Sequence, residues 1–176
     1  MKHVFSLCVL MFAALPAVAQ DTRTVIDDLG RTVEVPIAPG AIASLDDLRL
    51  TLPLIELGAP VVASHGRVSR VDGSVYIRSA DIQTGVGFDN GNIAFLGNDP
   101  LDVETLAAAD PDLIVTLVAR NSPITQLEAI APTVVFDEDA TDRFAIYARL
   151  ADLPGRQEEL SILEARYDMQ LAQLTR

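Results

Sequence analysis

Short apolar runs separated by helix-favouring segments make up most of the chain. The runs are apolar throughout rather than alternately apolar and polar, and they cover residues 41–45, 61–64, 93–96, 113–117 and 133–136. Helices are predicted between them, from Asp46 or Asp47 to about Leu57, over 102–109 and over 124–130. Strands that are apolar on both sides and alternate with helices are typical of a parallel sheet covered on both faces. The pattern therefore predicts an α/β fold.

Residues 103–117 read VETLAAADPDLIVTL and contain a sharp change from helix to strand. Pro111 cannot continue a helix, and it biases Asp110 away from helical geometry. Asp110-Pro111-Asp112 is therefore predicted to be a tight turn, from which the strand at 113–117 enters the sheet directly.

The two ends of the pattern differ from its centre. Residues 24–27 and 32–35 flank Asp28-Leu29-Gly30 and predict a β-hairpin. Residues 65–92 are rich in Gly, Ser, Asp and Arg and are predicted to be irregular. Two helices follow, at 141–153 and 156–176. The second carries an apolar stripe on one face, formed by Leu160, Leu163, Tyr167, Leu171 and Leu174.

The first residues predict export. Met1-Lys2-His3 is a short basic start, residues 4–15 are almost continuously apolar, and Ala17-Val18-Ala19 fits the small-x-small pattern of signal peptidase. An apolar run of about 12 residues is too short for a membrane anchor, which needs roughly 20. We therefore predict a signal peptide at 1–19, no direct membrane anchor and a periplasmic location.

Composition narrows the classes of partner. Cleavage would leave about 157 residues, enough for one domain with a sizeable core. It would remove the only cysteine, Cys8, and the only lysine, Lys2, so that the formal charge moves from −12 to −13. An acidic chain without basic runs is a poor partner for nucleic acid or an anionic membrane. The remaining cations are all arginines, which suit bidentate recognition of oxygen anions, although an arginine-rich genome would produce the same bias.

Several short strings, in their order and spacing, resemble those of one protein family. They are DLGRTV at 28–33, LGAPVVAS at 57–64, VETL at 103–106 followed by DPDLI at 110–114, and LEAIAPTV at 127–134. The chain resembles the periplasmic iron–siderophore binding proteins of ABC importers, in which one long helix joins two lobes. The resemblance implies a Rossmann-like three-layer α/β lobe with a mostly parallel sheet, an N-terminal β-hairpin and a long C-terminal linker helix.

The resemblance also implies how the chain is divided and what it does. Residues 20–140 would be the N-terminal ligand-binding lobe, 141–155 a helix packed on it, and 156–176 the inter-lobe helix. The second lobe of the family is missing from this sequence, so we interpret the chain as an N-terminal fragment or a truncated product. The expected function is capture of a ferric siderophore and its delivery to the ABC permease in the inner membrane. The siderophore is a transported ligand, and no cofactor is expected.

Ligands of parallel α/β sheets bind at the carboxyl ends of the strands. Four loops qualify here, at 46–47, 65–78, 97–99 and 119–121. Arginines can hold the oxygens of anionic siderophores by charge-assisted hydrogen bonds, and a tyrosine can stack on an aromatic ligand. The predicted ligand-binding residues are Arg67, Arg70, Tyr76, Arg78, Asn98 and Arg120. The alternative is that the arginines are solvated or paired with Asp72, Asp81 and Asp89.

Glu104 has a separate predicted role. In the family that this chain resembles, a glutamate of this helix meets an arginine of the permease, and Glu104 occupies the matching position. The alternative is an ordinary surface glutamate in the first turn of a helix, where the helix dipole favours a negative charge.

Other functions are less consistent with the sequence. An enzyme built on Ser64-His65 lacks the G-x-S-x-G turn, and Gly85-Val86-Gly87 lacks the third glycine of a dinucleotide site. A bare zinc site is improbable because His65 is the only histidine after residue 19. Haem or cobalamin carriage on the same architecture remains open, as does a non-transporting half-receptor. The choice between catecholate, hydroxamate and citrate siderophores also stays open.

Overall fold

A five-stranded parallel sheet forms the centre of the computed structural model, which describes residues 21–139 and 142–174. The strands in chain order are β3 (Ile42–Ser44), β4 (Val61–Ser64), β7 (Ala94–Phe95), β8 (Leu113–Leu117) and β9 (Thr133–Phe136). They lie side by side in the order β7-β4-β3-β8-β9, and every neighbouring pair is parallel. The predicted strands and the parallel sheet are confirmed. The predicted signal peptide lies outside the described residues.

Helices cover both faces of this sheet. On one face, α3 (Val103–Ala108) and α4 (Ile124–Glu128) insert Leu106 and Leu127 against Ala43, Leu45 and Ile114. On the other face, α1 (Leu52–Glu56) and α5 (Arg143–Asp152) pack on a second apolar cluster. Because β3, β4 and β8 each contribute apolar side chains to both clusters, these strands carry no polar alternation. The three-layer prediction is thus confirmed.

The first helix starts with an irregular turn that the sequence did not predict. Residues Asp47–Thr51 form a π-helical turn, which continues directly into α1. Asp46 is the N-cap, and its carboxylate accepts hydrogen bonds from the backbone N–H groups of Leu48 and Arg49. A π-helical turn is wider than an α-helical one and is often found at functional sites.

The N-terminal hairpin consists of β1 (Thr22–Ile26) and β2 (Thr32–Pro36), which pair antiparallel as a separate two-stranded sheet. Asp28 N–H donates to the carbonyl of Val135 at 3.0 Å, so the turn of the hairpin is fixed against β9. Arg31 Nη2 donates to the carbonyl of Thr133 at 2.9 Å and adds a second link.

The Asp110-Pro111-Asp112 turn is confirmed and has a further function in the fold. Asp110 has a positive φ of 48°, which reverses the chain at the end of α3. The carboxylate of Asp112 accepts hydrogen bonds from the backbone N–H groups of Gly40 at 2.7 Å and Ala41 at 3.0 Å. The turn therefore also fixes the start of the neighbouring strand β3.

Two features lie in the segment predicted to be irregular. A short hairpin pairs β5 (Arg67–Val68) with β6 (Val75–Tyr76), and α2 (Ala80–Thr84) follows it. Two-residue strands and a five-residue helix are too short to leave a periodic pattern in the sequence, so the prediction missed them.

The last described helix, α6 (Gln157–Leu174), packs on the lobe near its start and through the Tyr167 ring, which meets Phe144 of α5 with a centroid distance of 5.6 Å. Leu160 and Leu163 contact the core cluster next to α5, whereas Tyr167, Leu171 and Leu174 are exposed. The predicted apolar stripe is therefore divided between a packed and an exposed half. No helix within the described part of the chain is both long enough and apolar enough to cross a membrane.

Candidate functional site

The carboxyl ends of four neighbouring strands bring the predicted loops together. Leu45 N–H donates to Val115 carbonyl at 2.9 Å, and His65 N–H donates to Ser44 carbonyl at 2.9 Å. Gly66 N–H donates to Gly97 carbonyl at 3.0 Å. These bonds link the ends of β3, β8, β4 and β7 into one rigid edge, on which the side chains of the loops converge.

Two adjacent carboxylates are buried at this edge. Asp46 is 1% exposed and Asp47 is 0% exposed. The π-helical turn explains how both can face the protein, because Asp46 caps the turn while Asp47 begins it. Two buried negative charges would be very unfavourable without positive partners.

Three arginines provide these partners, and together with Asp46 and Asp47 they form what we call the arginine cluster. Arg78 binds both oxygens of Asp47, from Nε at 2.8 Å and from Nη2 at 2.6 Å. Arg120 Nη2 donates to Asp46 Oδ2 at 2.6 Å. Arg67 Nε lies 3.5 Å from Asp47 Oδ2, an ion pair without a hydrogen bond. With three cations and two anions, the cluster keeps a net positive charge.

The pKa values of the central pair follow from this geometry. Burial raises the pKa of Asp47, but the hydrogen bonds and charge of Arg78, with the charge of Arg67, outweigh it and hold the pKa below its ordinary value. The hydrogen bond from Arg78 to Asp47 is the main reason that the pKa of Arg78 is raised. Both side chains are therefore charged at neutral pH.

Asn98 belongs to the same group of side chains, since its Oδ1 accepts a hydrogen bond from Arg120 Nη1 at 3.2 Å. The structure thus brings together four of the predicted residues: Arg67, Arg78, Asn98 and Arg120. The arginines are paired, as the alternative held, but with Asp46 and Asp47 rather than with Asp72, Asp81 or Asp89. The sequence signal for these two partners was their position directly after a buried strand.

Arg70 and Tyr76 lie on the β5–β6 hairpin, outside the cluster. Tyr76 pairs in register with Arg67, so the hairpin begins at the cluster and extends away from it. Arg70 is exposed, and among the described residues no ion pair is found for it. Asp72 binds Ser74 within the hairpin tip. Arg70 and Tyr76 therefore border the site without taking part in its ion pairs.

His65 is buried beside the cluster, and the prediction did not include it as a site residue. It is 4% exposed, and neither ring nitrogen has a hydrogen-bond partner in the described part of the chain. Burial and the charge of Arg120 lower the pKa of His65, against the opposing effects of the Leu45 backbone and of the charges of Asp46 and Asp47. Its imidazole is therefore neutral at pH 7. Its position directly after β4 was the available signal.

Buried hydroxyls support the site from below. Thr51 Oγ1 bridges Ser44 Oγ at 2.8 Å and Ser64 Oγ at 2.6 Å. Ser64 Oγ in turn lies 2.6 Å from the backbone carbonyl of His65, to which it donates. Ser64 is fully buried and its hydroxyl is bound to backbone rather than to an imidazole nitrogen, which is unfavourable for the nucleophile of the enzyme alternative.

Two cavities of the described lobe lie near α5 and α6. One of about 660 Å³ is lined by Arg49, Glu138 and Arg143 among others, and one of about 530 Å³ lies between α5 and α6 next to Tyr147 and Tyr167. The arginine cluster occupies a partly open edge, as expected for one wall of a larger cleft. No group of metal-binding side chains is found among the residues described.

Comparison with solved structures places this geometry in a known fold. Holo-ViuP matches 86% of this chain at 22% identity and a TM-score of 0.70. Unliganded FhuD2 from Staphylococcus aureus matches 87% at 26% identity and a TM-score of 0.65. A FhuD fold-family periplasmic binding protein from Bacillus subtilis, a component of a Fep/Fec-like ferrichrome ABC transporter, matches 83% at 22% identity and a TM-score of 0.64. The chain has the FhuD fold.

The chain spans about half the length of these FhuD-fold structures, 50%, 50% and 48% respectively. No family model and no curated protein sequence matches it. The resemblance found in the short sequence strings is thereby confirmed for the fold, including the parallel sheet and the long C-terminal helix. The predicted division of the chain into segments stays a prediction.

Glu104 takes no part in the ion pairs of the arginine cluster in the described chain. It is exposed in the first turn of α3, which is capped by Asp102 through Thr105 N–H at 2.9 Å. The helix is therefore firmly started, and Glu104 projects from an ordered position rather than from a loop. The structure is compatible with both interpretations of Glu104, as a contact for the permease and as an ordinary surface glutamate.

Proposed function

We propose that this chain is the ligand-binding lobe of a periplasmic substrate-binding component of an ABC importer, and that it captures a ferric siderophore for delivery to the inner-membrane permease. The observation that carries the proposal is the arginine cluster at the carboxyl edge of a FhuD-fold sheet. Several proteins of similar fold are siderophore binders by name, among them Staphylococcus aureus SirA complexed with staphyloferrin B.

The cluster offers unused donors to an anionic ligand. Arg78 commits Nε and Nη2 to Asp47, and its Nη1 makes no hydrogen bond among the described residues. Both Nη atoms of Arg67 are likewise without an acceptor in the described part of the chain. Guanidinium N–H groups form strong, directional hydrogen bonds with carboxylate and catecholate oxygens. Arg67 and Arg78 are therefore the expected contacts.

The ligand adds to the ion pairs instead of replacing them. Removing the partner of a buried charge costs about 3–5 kcal/mol, and Asp47 is fully buried. Arg78 consequently keeps its bond to Asp47 while its outer edge binds the ligand. Holding a long arginine side chain in place before binding lowers the conformational entropy that binding would otherwise cost.

Arg120 has a more internal role than the prediction gave it. Its side chain is only 19% exposed, and it already donates to Asp46 and Asn98. We infer that Arg120 holds the β3 and β7 loops in position, whereas Arg67 and Arg78 select for negative charge.

Titration of the chain with ferric complexes tests the proposal. Ferric catecholate, ferric hydroxamate and ferric citrate are added separately, and binding is followed by tyrosine fluorescence and by the charge-transfer band. We expect one class to bind, and Arg67→Met to weaken it about tenfold or more, since a charge-assisted hydrogen bond contributes about 1.5–3 kcal/mol. Arg166→Met, in the exposed part of α6, is the matched control and should bind like the unchanged chain.

Two outcomes would overturn this assignment. A Soret band on adding hemin, without binding of any ferric chelate, would favour haem carriage on the same fold. Equal affinities for Arg67→Met and Arg166→Met would show that the cluster is not the binding surface. The proposed periplasmic location is tested by N-terminal sequencing of the exported protein, whose first residue should be Gln20.

A further inference from the structure

Unpartnered polar atoms are concentrated in one short segment of the site. Both ring nitrogens of His65 and Nε of Arg67 are buried without a hydrogen-bond partner among the described residues. Buried polar atoms are nearly always hydrogen-bonded, so each exception needs an explanation. Leaving such an atom unpaired destabilises the folded state. Several such atoms within three residues indicate a missing acceptor rather than a chance defect.

The backbone orients these two residues to the same side. A Cβ on Gly66, which lies between them, would come within 2.5 Å of Phe88 Cε2, so the Gly66 position faces the packed Phe88 ring. Neighbouring residues of an extended segment point to opposite sides, and residues two apart share a side. His65 and Arg67 thus face away from Phe88, and Arg67 reaches Asp47 of the cluster.

The side-chain acceptors near His65 already have donors. Asp46 Oδ1 accepts from the backbone of Leu48 and Arg49, and Oδ2 accepts from Arg120. Both oxygens of Asp47 accept from Arg78. Ser64, the residue before His65, uses its hydroxyl on the backbone carbonyl of His65. Each of these side-chain acceptors already has a donor, and the remaining hydrogen-bond partner near the imidazole in the described chain is the backbone of Leu45, with which neither ring nitrogen makes a well-formed hydrogen bond.

Charge further limits what the partner can be. A neutral imidazole presents one N–H donor, and Arg67 Nε–H is a second donor beside a cluster of net positive charge. Two donors in a positive environment suit an oxygen atom that carries negative charge. The phenolate, carboxylate and hydroxamate oxygens of ferric chelates are atoms of this kind.

Arg67 can also admit such an oxygen to the buried imidazole. Its side chain is 35% exposed, and its 3.5 Å ion pair with Asp47 includes no hydrogen bond. Arg78 alone satisfies both oxygens of Asp47, so a shift of Arg67 breaks no hydrogen bond and leaves no buried charge unpaired. Of the three arginines in the cluster, Arg67 is the one that can move at little cost.

We propose that His65 and Arg67 form a donor pair that binds one anionic oxygen of the transported ligand, with His65 as a ligand-binding residue at the base of the site. The inference rests on the proposed function and makes it more specific. It assigns to His65 a hydrogen bond that exists only in the bound state. The imidazole of His65 would then be unsatisfied in the free chain and satisfied by the ligand.

NMR of the imidazole protons tests this donor pair on the full chain. Gallium(III) complexes of catechol, acetohydroxamate and citrate serve as diamagnetic probes in place of the ferric ones. The sequence has two histidines, His3 and His65, so the His65→Leu variant assigns the signals. We expect the His65 signal to shift with one complex, in parallel with the tyrosine fluorescence, and His65→Leu to weaken that complex about tenfold.

The Tm of His65 variants distinguishes a ligand-binding role of His65 from a purely structural one. Since His65→Leu removes unsatisfied buried nitrogens, its Tm should equal or exceed that of the unchanged chain. His65→Gln keeps a donor and an acceptor and should restore part of the affinity. Loss of stability in His65→Leu with unchanged affinity would mean that His65 binds only a buried water, and the inference would be wrong.

The remaining outcomes also decide the matter. If a complex binds and the His65 signal stays in place, the donor pair is wrong and the proposed function stands. If no complex of the three classes binds the chain, both the proposed function and the donor pair are wrong for it.

Discussion

Arg78 binds both carboxylate oxygens of Asp47, at 2.8 Å from Nε and 2.6 Å from Nη2, across 31 positions of sequence. This bidentate pair joins the start of the first helix to the segment after the β5–β6 hairpin. Asp47 is fully buried, while the Arg78 side chain is 32% exposed. The pair therefore serves both the stability of the lobe and the positive charge of its open edge.

Replacing Arg78 should destabilise the lobe through the charge that remains. In Arg78→Met, Asp47 stays buried with Arg67 at 3.5 Å and Arg120 at 3.9 Å as its only nearby cations in the described chain. We expect a loss of about 3 kcal/mol in the free energy of unfolding, measured by urea denaturation. Arg70→Met is the control and should change stability by less than about 0.5 kcal/mol. Equal losses in the two variants would contradict this account.

Gly66 should not tolerate a side chain. A Cβ there would lie 2.5 Å from Phe88 Cε2, 2.7 Å from Phe88 Cζ and 2.9 Å from the carbonyl of Tyr76. We expect Gly66→Ala to cost about 1–3 kcal/mol, because the hairpin and the ring would both have to move. In Gly40→Ala the nearest atom would be Asp112 Oδ2 at 3.7 Å, an ordinary contact, so its Tm should hardly change. The reverse order of the two Tm values would refute the packing argument.

His65 should make the lobe less stable in mild acid. Its pKa is lowered in the folded chain by burial and then by Arg120, whereas in the unfolded chain it returns to its ordinary value of 6.5. Between these two values the unfolded state binds more protons, so stability rises with pH up to about 6.5 and falls below it.

The difference in unfolding free energy between the unchanged chain and His65→Leu isolates this effect. Measured by urea denaturation from about pH 7.5 to about pH 5, the difference should shift against the unchanged chain as the pH falls below about 6.5. A constant difference across this range would show that His65 has an ordinary pKa in the folded lobe.

Glu104 tests the proposed contact with a permease. In Glu104→Arg we expect reduced uptake of the ferric siderophore and unchanged affinity of the isolated chain, because the residue is exposed on α3 and forms no ion pair with the arginine cluster in the described chain. Glu158→Arg is the matched control, since Glu158 is also an exposed glutamate in the first turn of a helix, α6. Uptake that is equally affected or equally intact in both variants would leave Glu104 as an ordinary helix residue.

Part of the candidate site was predictable from local sequence. The arginines at 67, 78 and 120 and the amide at 98 belong to the loops predicted at the carboxyl ends of buried strands, and the topology of a parallel sheet brings such loops to one edge. The ion-pair partners were not predictable in this way. The sequence places Asp72, Asp81 and Asp89 nearer to the arginines, but burial of Asp46 and Asp47 makes those two carboxylates the ones that must be neutralised.

The five strands of the parallel sheet, the Asp-Pro-Asp turn and the order of layers were determined by the sequence itself. Continuous apolar runs and proline act over a few residues, so their effect is visible in the string of letters. Tertiary structure alone decided the π-helical turn, the pairing of Arg78 with Asp47 and the isolation of His65. These depend on which charges lose their water and which acceptors are already occupied, and both follow from contacts between residues far apart in the chain.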